Sequence, residues 1–269
     1  MQSNYCNFDH VASDERMREI LDSAEKFEEV RDIPSREELS YANGYYVNCT
    51  ALFIDIRGSS ELAAKHKRPV LGKLYRAYLS ECVAVMNGDI NCREVFINGD
   101  CVSGIFNTPN KSDVNGVLLT AARLQSTVQL LNWRLEQEGY AGFNCGLGID
   151  YGRALMLKAG YKGSGINDVI WMGDVVNQAS NLCHHGNRGI RKSLQVSNII
   201  YENLNDHNKS FLYPVHESLL RVVQYEGDIC DKVMEQYFND LKKAQDLKTL
   251  VQLLYRPYSG ASRALLGDL

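Results

Sequence analysis

The stretch Tyr45–Ser60, YYVNCTALFIDIRGSS, decides how the rest of the chain is read. Tyr45 to Ile56 is dense in β-branched, aromatic and apolar side chains and predicts a buried strand. One carboxylate, Asp55, sits near the end of that run, where a charge is costly to bury without a partner. Arg57-Gly58-Ser59-Ser60 follows. Gly58 permits a tight turn, and Ser59 or Ser60 is placed to cap the helix after it. Pro69 fits the first turn of a further helical stretch. Val70, Leu71, Leu74, Ala77, Tyr78, Cys82 and Val85 give that stretch one apolar face.

Working outward, Glu94–Ile97 and Cys101–Phe106 flank Asn98-Gly99, a strong hairpin signal, with Asp100 immediately after the turn. Asp113–Glu138 has helical periodicity and ends at Gly139 and Gly142. Phe143, Cys145, Leu147 and Ile149 then alternate as a half-buried strand. Residues 155–170, with Gly160, Gly163 and Gly165, read as an extended hairpin or arm. Asp174–His184, Ile199–Asn205 and Asp228–Tyr255 read as helices, and Leu194–Ser197 as a short strand. Upstream, Asp14–Val30 reads as one amphipathic helix, with Pro34 and Gly44 as breaks. The order strand–helix–hairpin–helix–strand predicts an α+β fold with a ferredoxin-like βαββαβ core. Residues 1–44 and 226–269 are expected to be helical extensions around a domain at 45–225.

Composition removes several function classes. With 29 Lys+Arg against 33 Asp+Glu, the chain is slightly acidic and lacks the basic footprint of a nucleic-acid binder. The N-terminus carries no basic start followed by an apolar run, and no stretch is long and apolar enough to span a bilayer. A cytoplasmic protein without membrane or nucleic-acid partners is expected. The eight cysteines are scattered with no CxxC pair, which argues for reduced, mostly buried thiols. Cys183, His184 and His185 are adjacent, but neighbours on a helix point in different directions, which argues against a metal there.

Two carboxylates stand out. The end of the first core strand and the tip of the hairpin can converge on one sheet edge, bringing Asp55 and Asp100 together as oxygen ligands for hard divalent cations. The backbone N–H groups of Ile56 to Ser60, in a turn leading into a helix, form a natural phosphate cradle. Arg153, just past a strand end, is a fixed cation suited to phosphate. Met172–Ser180 opens a helix carrying the polar Asn177. Metal carboxylates, a cradle and an arginine together describe a nucleoside triphosphate site.

Four motifs, FIDIRGSSEL, NGDCVSGIF, GLGIDYGRAL and MGDVVNQAS, resemble in order and spacing those of class III nucleotidyl cyclases, over about residues 45 to 225. The resemblance implies that Asp55 and Asp100, with the Ile56 carbonyl, bind two divalent cations, Mg²⁺ or Mn²⁺. It implies that Gly58, Ser59 and Ser60 lie at the nucleotide, that Arg153 contacts phosphate, and that Asn177 orients the ribose and the reacting phosphate. It also implies a homodimer with active sites at the interface, the arm at 158–171 serving dimerisation.

Departures from the family pattern are informative. Its purine readers, a lysine and an aspartate, fall on Phe96 and Ile170, and its transition-state arginine falls on Asn181. Neither Phe96 nor Ile170 can hydrogen-bond a base edge through its side chain. Three readings follow: a silent nucleotide-sensing or scaffold dimer, a purine cyclase with other readers, or a cyclase for another base. The third is favoured, because two carboxylates kept side by side repel each other without metal. The stretch KHKRPVLGKLYRAYLSECVAVMNGD further resembles the Pycsar pyrimidine cyclases of bacterial antiphage defence. That likeness implies UTP or CTP as substrate and a cyclic 3′,5′-monophosphate that reaches a separate effector without direct contact between the proteins. Arg188 and Arg191 are candidates for the charge lost at Asn181. Trp133 and Trp171 read as packing residues, and Lys65–Arg68 as a solvated helix end. A GGDEF-type diguanylate synthase is disfavoured because the hairpin tip lacks that motif.

Overall fold

The computed structural model describes residues 2–218 and 221–254. In chain order the elements are α1 (His10–Leu21), β1 (Lys26–Val30), β2 (Asn43–Ile56), α2 (Ser59–Lys65), α3 (Arg68–Asn87), β3 (Cys92–Asn98), β4 (Cys101–Phe106), α4 (Lys111–Gln137) and β5 (Cys145–Tyr161). There follow β6 (Ile166–Met172), α5 (Asp174–His185), β7 (Leu194–Val196), α6 (Asn198–Asn203), α7 (Asp206–Lys209), β8 (Tyr213–Ser218), β9 (Arg221–Gly227) and α8 (Lys232–Leu254). One sheet runs β3-β4-β2-β5-β7-β9-β8, with β1 parallel beside β2 and β6 antiparallel beside β5. The core order β3-β4-β2-β5 is that of the expected βαββαβ unit.

Alternation along β2 sorts its side chains between two cores. Leu52, Ile54 and Ile56 face α3 and α4, packing with Leu74, Tyr78, Cys82 and Leu124. Val47, Cys49 and Ala51 face the opposite way, toward α5 and the segment carrying Ile33 and Leu39. Fully burying a side chain such as Leu52 or Ile54 stabilises the fold by about 1.5–3 kcal/mol. No described helix is long and apolar enough to cross a membrane.

Several local expectations change. The expected helix Asp14–Val30 is two elements: α1 stops at Leu21, and Lys26–Val30 pairs with Asn43–Val47 of β2. The apolar spacing of Phe27 and Val30 suits a helix, but the open edge of β2 satisfies their backbone groups as a strand. Gly44 is consequently no break. It lies inside β2 and leaves room for the Phe27 ring, whose Cε1 would come within 2.8 Å of a Cβ there. The N-terminal region is thus only partly helical. The hairpin loop is Gly99-Asp100, because Asn98 still pairs with Cys101, so Asp100 sits in the turn and not after it. Neither Ser59 nor Ser60 caps α2; Gly58 does, in the left-handed region at φ 66°. Strands β8 and β9 were not anticipated, and Tyr255, the expected end of the last helix, lies outside the described residues.

Helix α5 rests directly on β5 because Gly146 and Gly148 present no side chain. A Cβ on Gly148 would stand 2.1 Å from the Ala179 carbonyl oxygen and the Cys183 nitrogen. At Gly152 the nearest atom to such a Cβ would be Cβ of Val175, at 3.4 Å. Gly148→Ala is therefore expected to lower stability by about 3 kcal/mol, as overpacking against backbone does, whereas Gly152→Ala stays within about 1 kcal/mol. Thermal denaturation followed by circular dichroism compares the two; equal melting temperatures would contradict the close approach of α5.

Candidate active site

Asp55 points away from the α3/α4 core, between the buried Ile54 and Ile56. The antiparallel register Ile54↔Val102 places it beside Cys101 and the turn residue Asp100. The register thereby brings Asp55 and Asp100 to the same edge of the sheet. Burial, and then the charge of Asp100, push the Asp55 carboxyl above its ordinary range, while Arg57 and Arg188 pull it down. Tyr75 of α3 faces the same pair. Burial raises its hydroxyl, with Asp100 and Asp55 adding to the shift. Burial followed by the same two charges pushes the Cys101 thiol up to about 12, so it stays protonated. Two neighbouring carboxylates, one of them raised in proton affinity by burial and by the other's charge, fit a hard divalent cation that oxygen ligands suit.

Arg57 organises this end of the site. Its side chain is almost buried, and its Nη1 donates to Asp55 Oδ2 at 3.1 Å. Its Nε donates to the Gly186 carbonyl at 2.9 Å, and its Nη2 to the Cys183 carbonyl at 2.5 Å. The guanidinium thus caps the C-terminal end of α5, where the helix dipole favours a cation. Gly146, paired with Asp55 across the strands, makes this possible: a Cβ there would stand 2.2 Å from Arg57 Nη2. The sequence reading missed Arg57 and Tyr75, because neither position announces a partner that lies far away in the chain.

The other expected residues lie elsewhere. Gly58, Ser59 and Ser60 come after Ile56 and Arg57, at the start of α2, where no side chain caps the backbone. Arg153 is not past a strand end but within β5, opposite Asn48. Seven register positions separate it from Gly146, the partner of Asp55, about 23 Å of extended strand. There it pairs with Glu29 of β1, and its guanidinium lies 4.0 Å from the centroid of the Tyr46 ring. A single chain does not bring Arg153 to the carboxylate pair.

Asn177 and Asn181 lie one turn apart on the exposed side of α5, while Val175, Ala179, Leu182 and Cys183 bury the other side. Asn177 belongs to the N-terminal half of α5, whereas Arg57 and Asp55 meet its C-terminal end. Phe96 packs against the second core, and Ile170 on β6 is partly exposed. Of the two candidate arginines, Arg188 acts electrostatically on Asp55 and sits 3.3 Å from His184 Nδ1, whereas Arg191 turns toward Glu226 at 3.8 Å. Cys183 donates to the Gly146 carbonyl, His184 meets Arg188 and His185 meets Gln224, so the three adjacent residues diverge. Trp133 packs edge-on to Phe238, and Trp171 is buried in the second core.

No protein-family profile matches the chain. Among characterised proteins, it is 37% identical over 238 residues to a uridylate cyclase of Treponema porcinum, covering 87% of this chain and 80% of that protein. It is 40% identical over 194 residues to a uridylate cyclase of Gulbenkiania mobilis, covering 68% of this chain and 74% of that protein. Among solved structures, the adenylyl cyclase CyaB from P. aeruginosa superposes with a TM-score of 0.58 at 20% identity, over 70% of this chain and 97% of that one. A class III adenylyl cyclase-like ATP-binding protein from Pseudomonas aeruginosa superposes with a TM-score of 0.62 at 20% identity, over 82% of this chain and 48% of that one. At such identities the structural likeness shows the fold, while the closer relatives show the family: this chain belongs to the uridylate cyclases, on the fold of the class III nucleotidyl cyclases.

Proposed function

We propose that the chain converts UTP, with CTP as the alternative substrate, to the cyclic 3′,5′-monophosphate and pyrophosphate. The observation that carries this is the identity of 37–40% to uridylate cyclases over most of the chain. The apolar side chains at Phe96 and Ile170 agree with it, because they offer no hydrogen bonds to a purine edge. The catalytic domain is proposed to span 45–225, in a cytoplasmic homodimer, with the product acting as a second messenger of antiphage defence.

In this reading Asp55, Asp100 and the Ile56 carbonyl hold two divalent cations, Mg²⁺ or Mn²⁺, which when bound lower the pKa of the ribose 3′-OH and neutralise the leaving pyrophosphate. Arg57 fixes the Asp55 carboxylate, so that little reorganisation accompanies the reaction. Backbone N–H groups at Gly58, Ser59 and Ser60 receive phosphate oxygens. The partner chain supplies Asn177 to orient the ribose and Arg153 to bind phosphate, because in one chain both lie away from the carboxylate pair. The 3′-oxygen attacks the α-phosphorus in line, the bond to the β-phosphate oxygen breaks, and the hydroxyl proton leaves to solvent. Asn181 offers hydrogen bonds but no charge to the transition state, the one observation that favours a silent dimer instead.

Three measurements test the reading. Incubation with each of the four NTPs and Mn²⁺, followed by mass spectrometry, should yield cyclic UMP or cyclic CMP. Cyclic AMP or GMP as the main product contradicts the pyrimidine assignment, and no product at all supports the silent dimer. Asp55→Ala and Asn177→Ala should each abolish turnover, yet mixing the two should restore about a quarter of wild-type activity through one intact composite site per heterodimer. Absence of rescue would place the whole site in one chain. Finally, the raised proton affinity of Asp55 means that a cation must displace a proton at weakly acidic pH but not at alkaline pH. Mn²⁺ titration calorimetry in buffers of different ionisation enthalpy should show proton release that fades as pH rises. Release independent of pH would remove the carboxylate pair as the cation site.

A further inference from the structure

A second charged cluster lies outside the carboxylate pair. Arg36, in a short 3-10 turn between β1 and β2, reaches two strands that do not touch each other in the sheet. Its Nε donates to both carboxylate oxygens of Glu94 on β3, at 2.7 and 3.0 Å, and its Nη2 also meets Glu94. Its Nη1 donates to Asp168 on β6 at 3.0 Å. Glu94 is only 6% exposed, and Arg36 is its only charged partner among the described residues. The bridge is therefore asymmetric: one end is a buried ion pair, the other a half-exposed one.

The topology gives this bridge a place in the site. Each neighbour along β3-β4-β2-β5-β6 is antiparallel, so β3 and β6 run in the same direction. Moving two residues forward from Glu94 on the same side of β3 reaches Phe96. The same step from Asp168 on β6 reaches Ile170. Arg36 thus ties together the two strands one pleat repeat before the two positions read above as facing the base. The capping box of Ser35 and Glu38 and the burial of Ile33 and Leu39 fix the turn that carries it.

We propose that Arg36, acting through Glu94 and Asp168, is a positioning residue for base selection: it sets the separation of β3 and β6, and so the width of the slot between Phe96 and Ile170. This rests on the proposed pyrimidine cyclase reading. A slot without hydrogen-bonding side chains discriminates by shape, and shape depends on how firmly its walls are held. A guanidinium suits the task because its rigid fork engages two carboxylates at once, which an ammonium on a flexible stem does not.

The test is steady-state kinetics of the full chain with UTP and with CTP in the presence of Mn²⁺. Asp168→Ala releases β6 but leaves Glu94 paired, so the fold is retained; melting curves check this. It should raise KM for UTP about tenfold with kcat little changed, and should narrow the preference between UTP and CTP. Arg36→Lys should do the same, and Asp168→Glu should restore wild-type behaviour. Phe96→Ala serves as the reference for the underlying reading. If Phe96→Ala shifts base preference while Asp168→Ala and Arg36→Lys leave KM and preference at wild-type values, the bridge is structural only and the proposal is overturned. If Phe96→Ala leaves base preference unchanged, or the wild type cyclises neither pyrimidine, the assignment of the base slot fails first and the proposal falls with it.

Discussion

The buried Arg57 guanidinium joins the end of β2 to the end of α5, and the arrangement of the carboxylate site depends on that junction. Three of its contacts are charge-assisted or close to it: one to Asp55 and two to carbonyls at the negative end of a helix. The Cys183 carbonyl already accepts the Gly186 N–H, so the guanidinium adds a second, charged donor there; it also supplies a donor to the Gly186 carbonyl and a countercharge to Asp55, which sits partly buried next to a like charge. Removing the arginine leaves both needs open at once, so its contribution exceeds that of a surface ion pair. Gly146 and Gly148 are the counterpart of this junction, since only a bare strand surface lets α5 and the guanidinium come so close.

The same junction divides the chain's chemistry between two ends. Asp55, Asp100 and Arg57 gather where β2 finishes and α5 finishes. Asn177 lies in the first half of α5, and Arg153 lies seven register positions away along β5. Each chain thus holds the carboxylate pair at one end of α5 and Asn177 and Arg153 toward the other. In the proposed reading, where both groups serve one substrate, a second copy supplies the missing half.

What the sequence revealed, and what it hid, follows from the range of the interactions involved. Tyr45–Ile56 was legible as a strand because its burial is written into consecutive residues, and the meeting of Asp55 with Asp100 followed from a hairpin whose turn residues sit next to each other. The turn was misplaced by one residue because Asn-Gly fits two neighbouring registers, and only cross-strand pairing with Cys101 selects between them. Phe27 and Val30 looked helical because their spacing is compatible with a helix; their pairing with β2 depends on an edge contributed by residues far along the chain. Arg153 seemed to follow a strand because β5 was expected to end early, whereas pairing with β6 carries it on to Tyr161. The roles of Arg57 and Arg36 were hidden for the same reason: their partners are 126 and 58 residues away.

The N-terminal segment shows how a region that looks peripheral becomes part of the site's frame. Ile33 and Leu39 are buried in the second core, against Ala154, Met156, Val169 and Trp171. Strand β1 adds Glu29 as the partner of Arg153, and the turn after it adds Arg36 as the partner of Glu94 and Asp168. Arg153 on β5, Glu94 on β3 and Asp168 on β6 are therefore paired by residues that precede the first strand of the core. Without Glu29 the Arg153 guanidinium would keep only its stacking on Tyr46, and without Arg36 strand β6 would keep its pairing with β5 and the burial of Val169 and Trp171 but lose its tie to β3. Residues 26–42 thus pair with β2 and pack into the second core, outside the proposed 45–225 span yet in contact with it.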